Sequence, residues 1–163
     1  MSRISRFFAD RDEDRGQSMV EFALLLPLML LIVTGLLDVA RAVWEENTLA
    51  YAAREGTRYA IVHGSYGSPA ANPTAVSPCT DDVICTNIPA VVRTAAIGVP
   101  NITVTVTYPD TYPGTSPAVH CADRNCRVIV DASAPFVPLP SQYLLNGAFQ
   151  ITLRGGSQLV IQR

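Results

Sequence analysis

The chain predicts an α+β protein in which a single long N-terminal membrane-spanning helix packs on a small antiparallel sheet domain. Three observations lead there. From Phe22 to Leu37 the apolar run is broken only by Pro27, Thr34 and Gly35. No proline lies between Asp38 and Val62, where Ala40, Val43, Asn47, Ala50, Arg54, Thr57 and Ile61 recur at intervals of three and four, the spacing of one helix face. After Asn101 the pattern switches to strict alternation. Ile102, Val104, Val106 and Tyr108 fall on one side and Thr103, Thr105 and Thr107 on the other, as in a half-buried strand.

A chain of 163 residues, 48% of them hydrophobic, has room for one membrane helix and one small soluble domain. The division expected is a leader at 1–16, a transmembrane helix at 17–37, its extramembrane continuation at 38–63 and a small exported α+β domain with disulfides at 64–163. Gln17 to Leu37 approaches the roughly 20 residues that a spanning helix needs. Pro27 inside it removes one backbone hydrogen bond and tends to kink the helix. Continued to Val62, the helix would be roughly 70 Å long at 1.5 Å per residue. The small side chains of Ala50, Ala53, Thr57 and Ala60 let another backbone come close, either the domain's own sheet or another subunit. Gly64, with Gly67 and Pro69 nearby, supplies the stop.

Arg3, Arg6, Arg11 and Arg15 precede the apolar run, which by the positive-inside tendency places the N-terminus in the cytoplasm and the larger C-terminal part outside it. The interleaved Asp10, Asp12, Glu13 and Asp14 count little in that rule. Ala40-Arg41-Ala42 formally fits a signal-peptidase site, but the apolar run is long for a signal peptide. An uncleaved anchor is the other plain reading, with Glu21 at the interface. Glu21 stands at the mouth of the apolar run, where an ionisable side chain is costly unless it has a partner. Net charge is −2 and no basic stripe lies outside the leader, so nucleic acid is not an expected partner.

In the exported part, residues 64–78 read as a surface loop rich in Gly, Ser, Pro and Ala. Ile88 to Ile97 reads as a short amphipathic helix opened by Asn87 and Pro89 and ended near Gly98. Arg127–Ser133 and Phe149–Leu153 repeat the strand pattern, with Ser157–Gln162 as a last strand. Pro135, Pro138 and Pro140 between them force an extended or looped crossing.

Cys79, Cys85, Cys121 and Cys126 all lie in this part, an even set that implies two disulfides in an oxidising compartment. Pairing Cys79 with Cys85 and Cys121 with Cys126 closes two short loops and is the first choice among three connectivities; cross-pairing stays open. A four-cysteine zinc site is the chemical rival, but five residues between Cys79 and Cys85 exceed the usual ligand spacing, so no metal is expected. His63 and His120 read as solvated loop side chains, and His120 beside Cys121 makes a nucleophile pair only if that thiol is free. Asp81 and Asp82 read as a solvated turn, and Asn101-Ile102-Thr103 as a chance sequon in a strand. No phosphate loop, G-x-S-x-G elbow or H-E-x-x-H is present, so no enzymatic activity, cofactor or small-molecule substrate is expected.

One ordered set of residues carries a resemblance. Gly16-Gln17-Ser18-Met19-Val20-Glu21-Phe22-Ala23, then Leu26-Pro27, Gly35-Leu36-Leu37-Asp38-Val39-Ala40-Arg41 and Ala52-Ala53-Arg54-Glu55-Gly56-Thr57-Arg58-Tyr59-Ala60 resemble the TadE-like family, pilin-like components of the tight-adherence (Flp) pilus system. Nearly all of the specificity lies in residues 16–63. The resemblance implies a pilin-like fold and a minor pilin or pseudopilin in the inner membrane, cut after Gly16 by a prepilin peptidase to leave Gln17 as the new N-terminus. It implies as partners the membrane, that peptidase, other pilin subunits and pilus assembly proteins, and adhesion as the downstream role.

Chemistry supports those assignments. Glycine before the cut lets an enclosed protease approach the backbone. The freed Gln17 amine, with an ordinary pKa near 7.7–8.0, is largely positive at neutral pH. Glu21 is then a candidate counter-charge on a neighbouring subunit, and the cost of an unpaired acid would set subunit register. The runner-up is an uncleaved inner-membrane-anchored periplasmic scaffold of the secretion machinery that is never built into a fibre.

Overall fold

Helix α1, Ile4–His63, is the frame on which every other element is laid. The computed structural model describes residues 4–64, 66–67, 69–71, 77–80, 85, 87–114, 119–144 and 146–162, with residues 4–15 and 144 as backbone. α1 runs through Pro27 as one helix and ends where Gly64 takes a left-handed φ of 51°. The Gly64 amide donates to the Ala60 carbonyl at 2.9 Å, a capping bond of a glycine-terminated helix. From Gly64 the chain turns back, and the Ala71 amide donates to the Gly64 carbonyl at 2.7 Å, so the described part of the expected surface loop carries one buried side chain, Ala71.

A three-stranded antiparallel sheet lies against the C-terminal half of α1: β1 (Thr103–Thr107), β2 (Arg127–Phe136) and β3 (Ile151–Val160), in that order. The register pairs Val104 with Ala132 and Val106 with Val130, then Val130 with Ser157 and Ala132 with Gly155. The predicted alternation of β1 holds: Val104 and Val106 are buried and the threonines face outward. On β2 the inner set is Val128, Val130, Ala132, Ala134 and Phe136. Helix α2 (Ile88–Ala95) closes the core with Ile88 and Val92 at Gly56 of α1, and these two, like Leu49, Ala53 and Thr57 of α1, are fully covered. Each such Leu, Ile or Val contributes roughly 1.5–3 kcal/mol by leaving water.

Several expectations are corrected. The helix face that packs is not the predicted stripe. Of its seven members only Thr57 is fully buried, and the true inner face is Leu49, Ala52, Ala53, Gly56, Thr57 and Ala60. The small residues therefore cover the domain's own sheet. Gly56 is part of the reason, because a β-carbon there would run into the Val92 side chain and lie 3.2 Å from Val130.

β2 continues through Pro135 to Phe136 rather than stopping at Ser133. β1 begins at Thr103 opposite Ser133, so the proline lies where β2 has a neighbour on one side only, and a missing donor costs little there. The two strands expected at 149–153 and 157–162 are one strand, β3, running across Gly155 and Gly156. Pro138 and Pro140 do not stand in a looped crossing but open a short helix, α3 (Leu139–Leu144), where a proline in the first turn costs no hydrogen bond. Asn87 precedes α2 in the left-handed region, with φ of 68°, and makes no side-chain capping bond; α2 itself ends at Ala95 rather than Ile97. Gly98, with φ of 80°, turns the chain under the Trp44 ring.

Disulfides join Cys79 to Cys85 and Cys121 to Cys126, with Cα atoms 6.0 and 5.8 Å apart, within the range the bond needs. Closing loops this short removes about 2 kcal/mol of unfolded-chain entropy apiece. The first also ties a strand edge, since Cys79 exchanges backbone bonds of 2.9 and 2.8 Å with Val106. Asp81 and Asp82 lie outside the described residues.

Candidate functional site

The features that could act lie along α1. At its start, Gly16 has open space where a β-carbon would be, and Gln17 and the apolar residues that follow it are exposed. The Gln17 side-chain amide donates to Glu21 Oε1 across one turn at 3.4 Å. Gly16, Gln17 and Glu21 thus lie on an uncovered stretch of continuous helix. The segment from Gly16 onward is apolar and long enough to cross a membrane. Its one hydroxyl inside the apolar run, Thr34, donates to the Leu30 carbonyl at 2.9 Å and so brings no unsatisfied polar group into that surface.

The next site is the collar where the domain first grips the helix. Asp38 and Glu45 are buried at 6% and 5% exposure, and Arg41 stands between them on the same face. Asp38 Oδ2 accepts a hydrogen bond from the Leu139 amide at 2.8 Å, satisfying a donor of the first turn of α3. Its Oδ1 has no hydrogen-bond partner and meets the Arg41 guanidinium at 3.7 Å, an ion pair rather than a hydrogen bond. Arg41 also reaches Glu45 at 3.5 Å, and its guanidinium lies over the Phe136 ring at 5.2 Å, within cation–π range.

This cluster holds the tip of the domain to the helix across 101 residues of sequence. Sequence reasoning missed it. The signal was available, because Asp38, Arg41 and Glu45 stand three and four residues apart, the spacing of ion pairs along one helix face.

The four cysteines mark the opposite end of the domain and are all in disulfides, so no thiol is available as nucleophile or ligand. Among the described residues no group of three or more His, Cys, Asp or Glu is placed to hold a metal. Beside the second disulfide, Asp110 and Arg127 form a multiply bonded pair: Nη2 to Oδ1 at 2.7 Å, and the Arg127 amide to Oδ2 at 2.6 Å. The side-chain bond from Arg127, then the backbone one, hold the Asp110 carboxyl below the usual range. The Tyr112 hydroxyl donates to Asp123, which with burial pushes the phenol up to about 12.

Neither histidine is a free solvated loop side chain. His63 lies in the last turn of α1, stacked on Tyr59 with ring centroids 3.9 Å apart, and its Nδ1 is 2.9 Å from the Tyr59 carbonyl. His120 Nδ1 is 2.8 Å from the Tyr108 carbonyl. Both are tied to backbone in positions that suit packing. Asn101, the sequon asparagine, is exposed and precedes β1 rather than lying in it.

Comparison with known proteins gives one match. Residues 16–58 match the family model described as TadE-like protein. The matched stretch lies wholly within α1, from Gly16 through the Asp38–Arg41–Glu45 collar to the face that receives the sheet. No curated protein and no solved structure matches the chain.

Proposed function

We propose that this chain, TadE-like over residues 16–58, is a minor pilin of a tight-adherence pilus, structural rather than enzymatic, cut after Gly16 by a prepilin peptidase and incorporated in or required for assembly of the fibre. The family match supports a pilus-associated component with a membrane helix and pilin partners. The observation that supports processing and assembly is the placement of Gly16, Gln17 and Glu21. They stand together at the N-terminal end of an uncovered apolar helix whose other half is fixed to a disulfide-bonded domain. The same apolar surface suits lipid before assembly and a bundle of like helices after it. Cutting requires local unwinding at the site, and glycine costs a helix about 1 kcal/mol relative to alanine, so Gly16 weakens the helix where the peptidase would act. The expected orientation is N-terminus cytoplasmic and domain outside, with adhesion as the downstream role.

A second reading has an observation in its favour. α1 continues without a break from Ile4 through Gly16, as an uncleaved anchor of a periplasmic scaffold would. The mass and N-terminal sequence of the membrane-extracted protein, with and without the cognate peptidase, separate the two. A new terminus at Gln17, seen only with the peptidase and blocked by Gly16→Ala, is expected of the pilin. An intact Met1 in both conditions would leave the scaffold.

A further inference from the structure

We infer that α3 and the turn after it form a foot that enters the outer leaflet of the membrane crossed by α1, with a lipid acyl chain filling the groove between foot and helix. The inference rests on the reading of α1 as a membrane helix over residues 17–37. The groove, about 470 Å³, has Pro27, Leu30, Leu31 and Thr34 on one wall and Leu139 and Tyr143 on the other, and its lining is almost wholly apolar. Those α1 residues are not beyond the span but inside it. At 1.5 Å per residue, Leu30 and Leu31 lie about 10 Å below Leu37, within a hydrocarbon core of about 30 Å. Thr34 and Gly35 are likewise partly covered although they precede the expected end of the span. The Leu139 amide is pinned to Asp38, so α3 starts at the helix's exit from the apolar run, and Tyr143 one turn later lines the groove with Leu30.

Sliding the helix to lift α3 into water is the costly alternative. A shift of about 10 Å is about seven residues, which would draw Asp10, Arg11, Asp12, Glu13, Asp14 and Arg15 into the cytoplasmic edge of the hydrocarbon, six charges together, each costing less than the roughly 2.5–3.5 kcal/mol of the helix centre. Once the leader is cut, the same shift would leave only about 14 residues, Gln17–Leu30, to span the core. The segment that would be submerged instead carries no charge, because no Asp, Glu, Lys, Arg or His occurs between Asp131 and Arg154. Several of its described backbone groups are paired within the segment. The Gly147 amide donates to the Ser141 carbonyl at 2.9 Å, and the Phe149 amide to Ser141 Oγ at 3.0 Å, whose hydroxyl donates back to the Phe149 carbonyl at 2.9 Å. Tyr143 is 79% exposed and Phe149 56% exposed, amphipathic and aromatic side chains of the kind that settle at a membrane interface.

The test is depth-resolved quenching of tryptophan in the full chain, reconstituted in phosphatidylcholine vesicles with brominated or ordinary acyl chains. Trp44, the only tryptophan, is first replaced by Trp44→Phe. Tyr143→Trp then reports the foot, and Leu31→Trp reports the span. Tyr143→Trp emission is expected to fall in brominated lipid to the same extent as that of Leu31→Trp and to resist aqueous acrylamide. Quenching of Tyr143→Trp by acrylamide alone, with Leu31→Trp still quenched by bromolipid, overturns the foot while leaving the membrane helix intact. Protection from both quenchers means that a second copy covers the groove, which also overturns it. Loss of bromolipid quenching at Leu31→Trp overturns both the membrane reading and the foot.

Discussion

Gly155 of β3 lies against the backbone of Ala50 in α1 with no room for a β-carbon, which would overlap the Leu49–Ala50 peptide and stand 2.7 Å from Ala50 Cα. Backbone cannot move aside as a side-chain tip can. Gly155→Ala is therefore expected to force strand and helix apart and destabilise the domain by about 2–3 kcal/mol. Gly56→Ala clashes with Val92, but alanine recovers helix propensity, so its net cost should be about 1 kcal/mol. Gly16→Ala meets open space and should lose no stability. Thermal unfolding of the full chain in detergent, followed by near-UV circular dichroism, ranks the three. Equal melting of Gly155→Ala and the parent would refute the close-approach role.

The Asp38 carboxylate binds the start of α3 to the helix through the Leu139 amide. Asp38→Ala leaves the Leu139 amide without its acceptor. A hydrogen bond to a charged group contributes roughly 1.5–3 kcal/mol net, while relief of the buried charge offsets part of the loss, so about 1–2 kcal/mol is expected. Asp38→Asn keeps an acceptor and should cost markedly less. Amide exchange at Leu139 is the local readout, and it should accelerate in Asp38→Ala. Unchanged exchange there would mean that packing alone holds α3.

The helix and β1 were legible because each has a clean period over many residues. The face of α1 was not. Its inner positions are alanine, glycine and threonine, which carry little hydropathy signal, and Val43, the conspicuous apolar residue of the predicted stripe, is half-exposed. β3 was read as two strands because Gly155 and Gly156 look like a break, whereas they answer to Ala50 and to the Asp131 side chain across the sheet. α3 was hidden by its own prolines, whose helix-opening role shows only once the Asp38 contact is known. Of the candidate site, Gly16 and Glu21 were read from their place in a motif. The i, i+3 and i+4 spacing of Asp38, Arg41 and Glu45 was legible as an ion-pair face, but what it holds, Phe136 and Leu139, lies about a hundred positions away and was not.

The Asp110–Arg127 pair predicts a specific acid sensitivity. Arg127 holds the Asp110 carboxyl below its ordinary value in the folded chain. The stability this contributes is complete above the unfolded carboxyl's pKa of about 3.9, and it is lost as pH falls through the lower folded value. The pair is partly exposed, so the effect should be modest and weaken with salt. Asp110→Asn is expected to lower stability at neutral pH and to flatten its decline below about pH 4. Chemical denaturation at a series of pH values checks this. Parallel pH profiles for variant and parent would show the pair to be energetically silent.

Glu21 offers the sharpest test of the assembly proposal, because cutting and docking ask different things of it. The cut needs Gly16 and an accessible backbone; register needs a negative charge for the Gln17 amine of a neighbour. Glu21→Gln keeps the size and hydrogen-bonding capacity of the side chain and removes only its charge. The variant should therefore still show a new N-terminus at Gln17 but be depleted from sheared fibres, with Glu21→Asp intermediate. Deprotonating the amine at alkaline pH removes its charge, so association of detergent-extracted processed subunits should weaken at alkaline pH, and Glu21→Gln should abolish that dependence. Normal amounts of processed Glu21→Gln protein in the fibre fraction would show that packing, not charge pairing, sets the register.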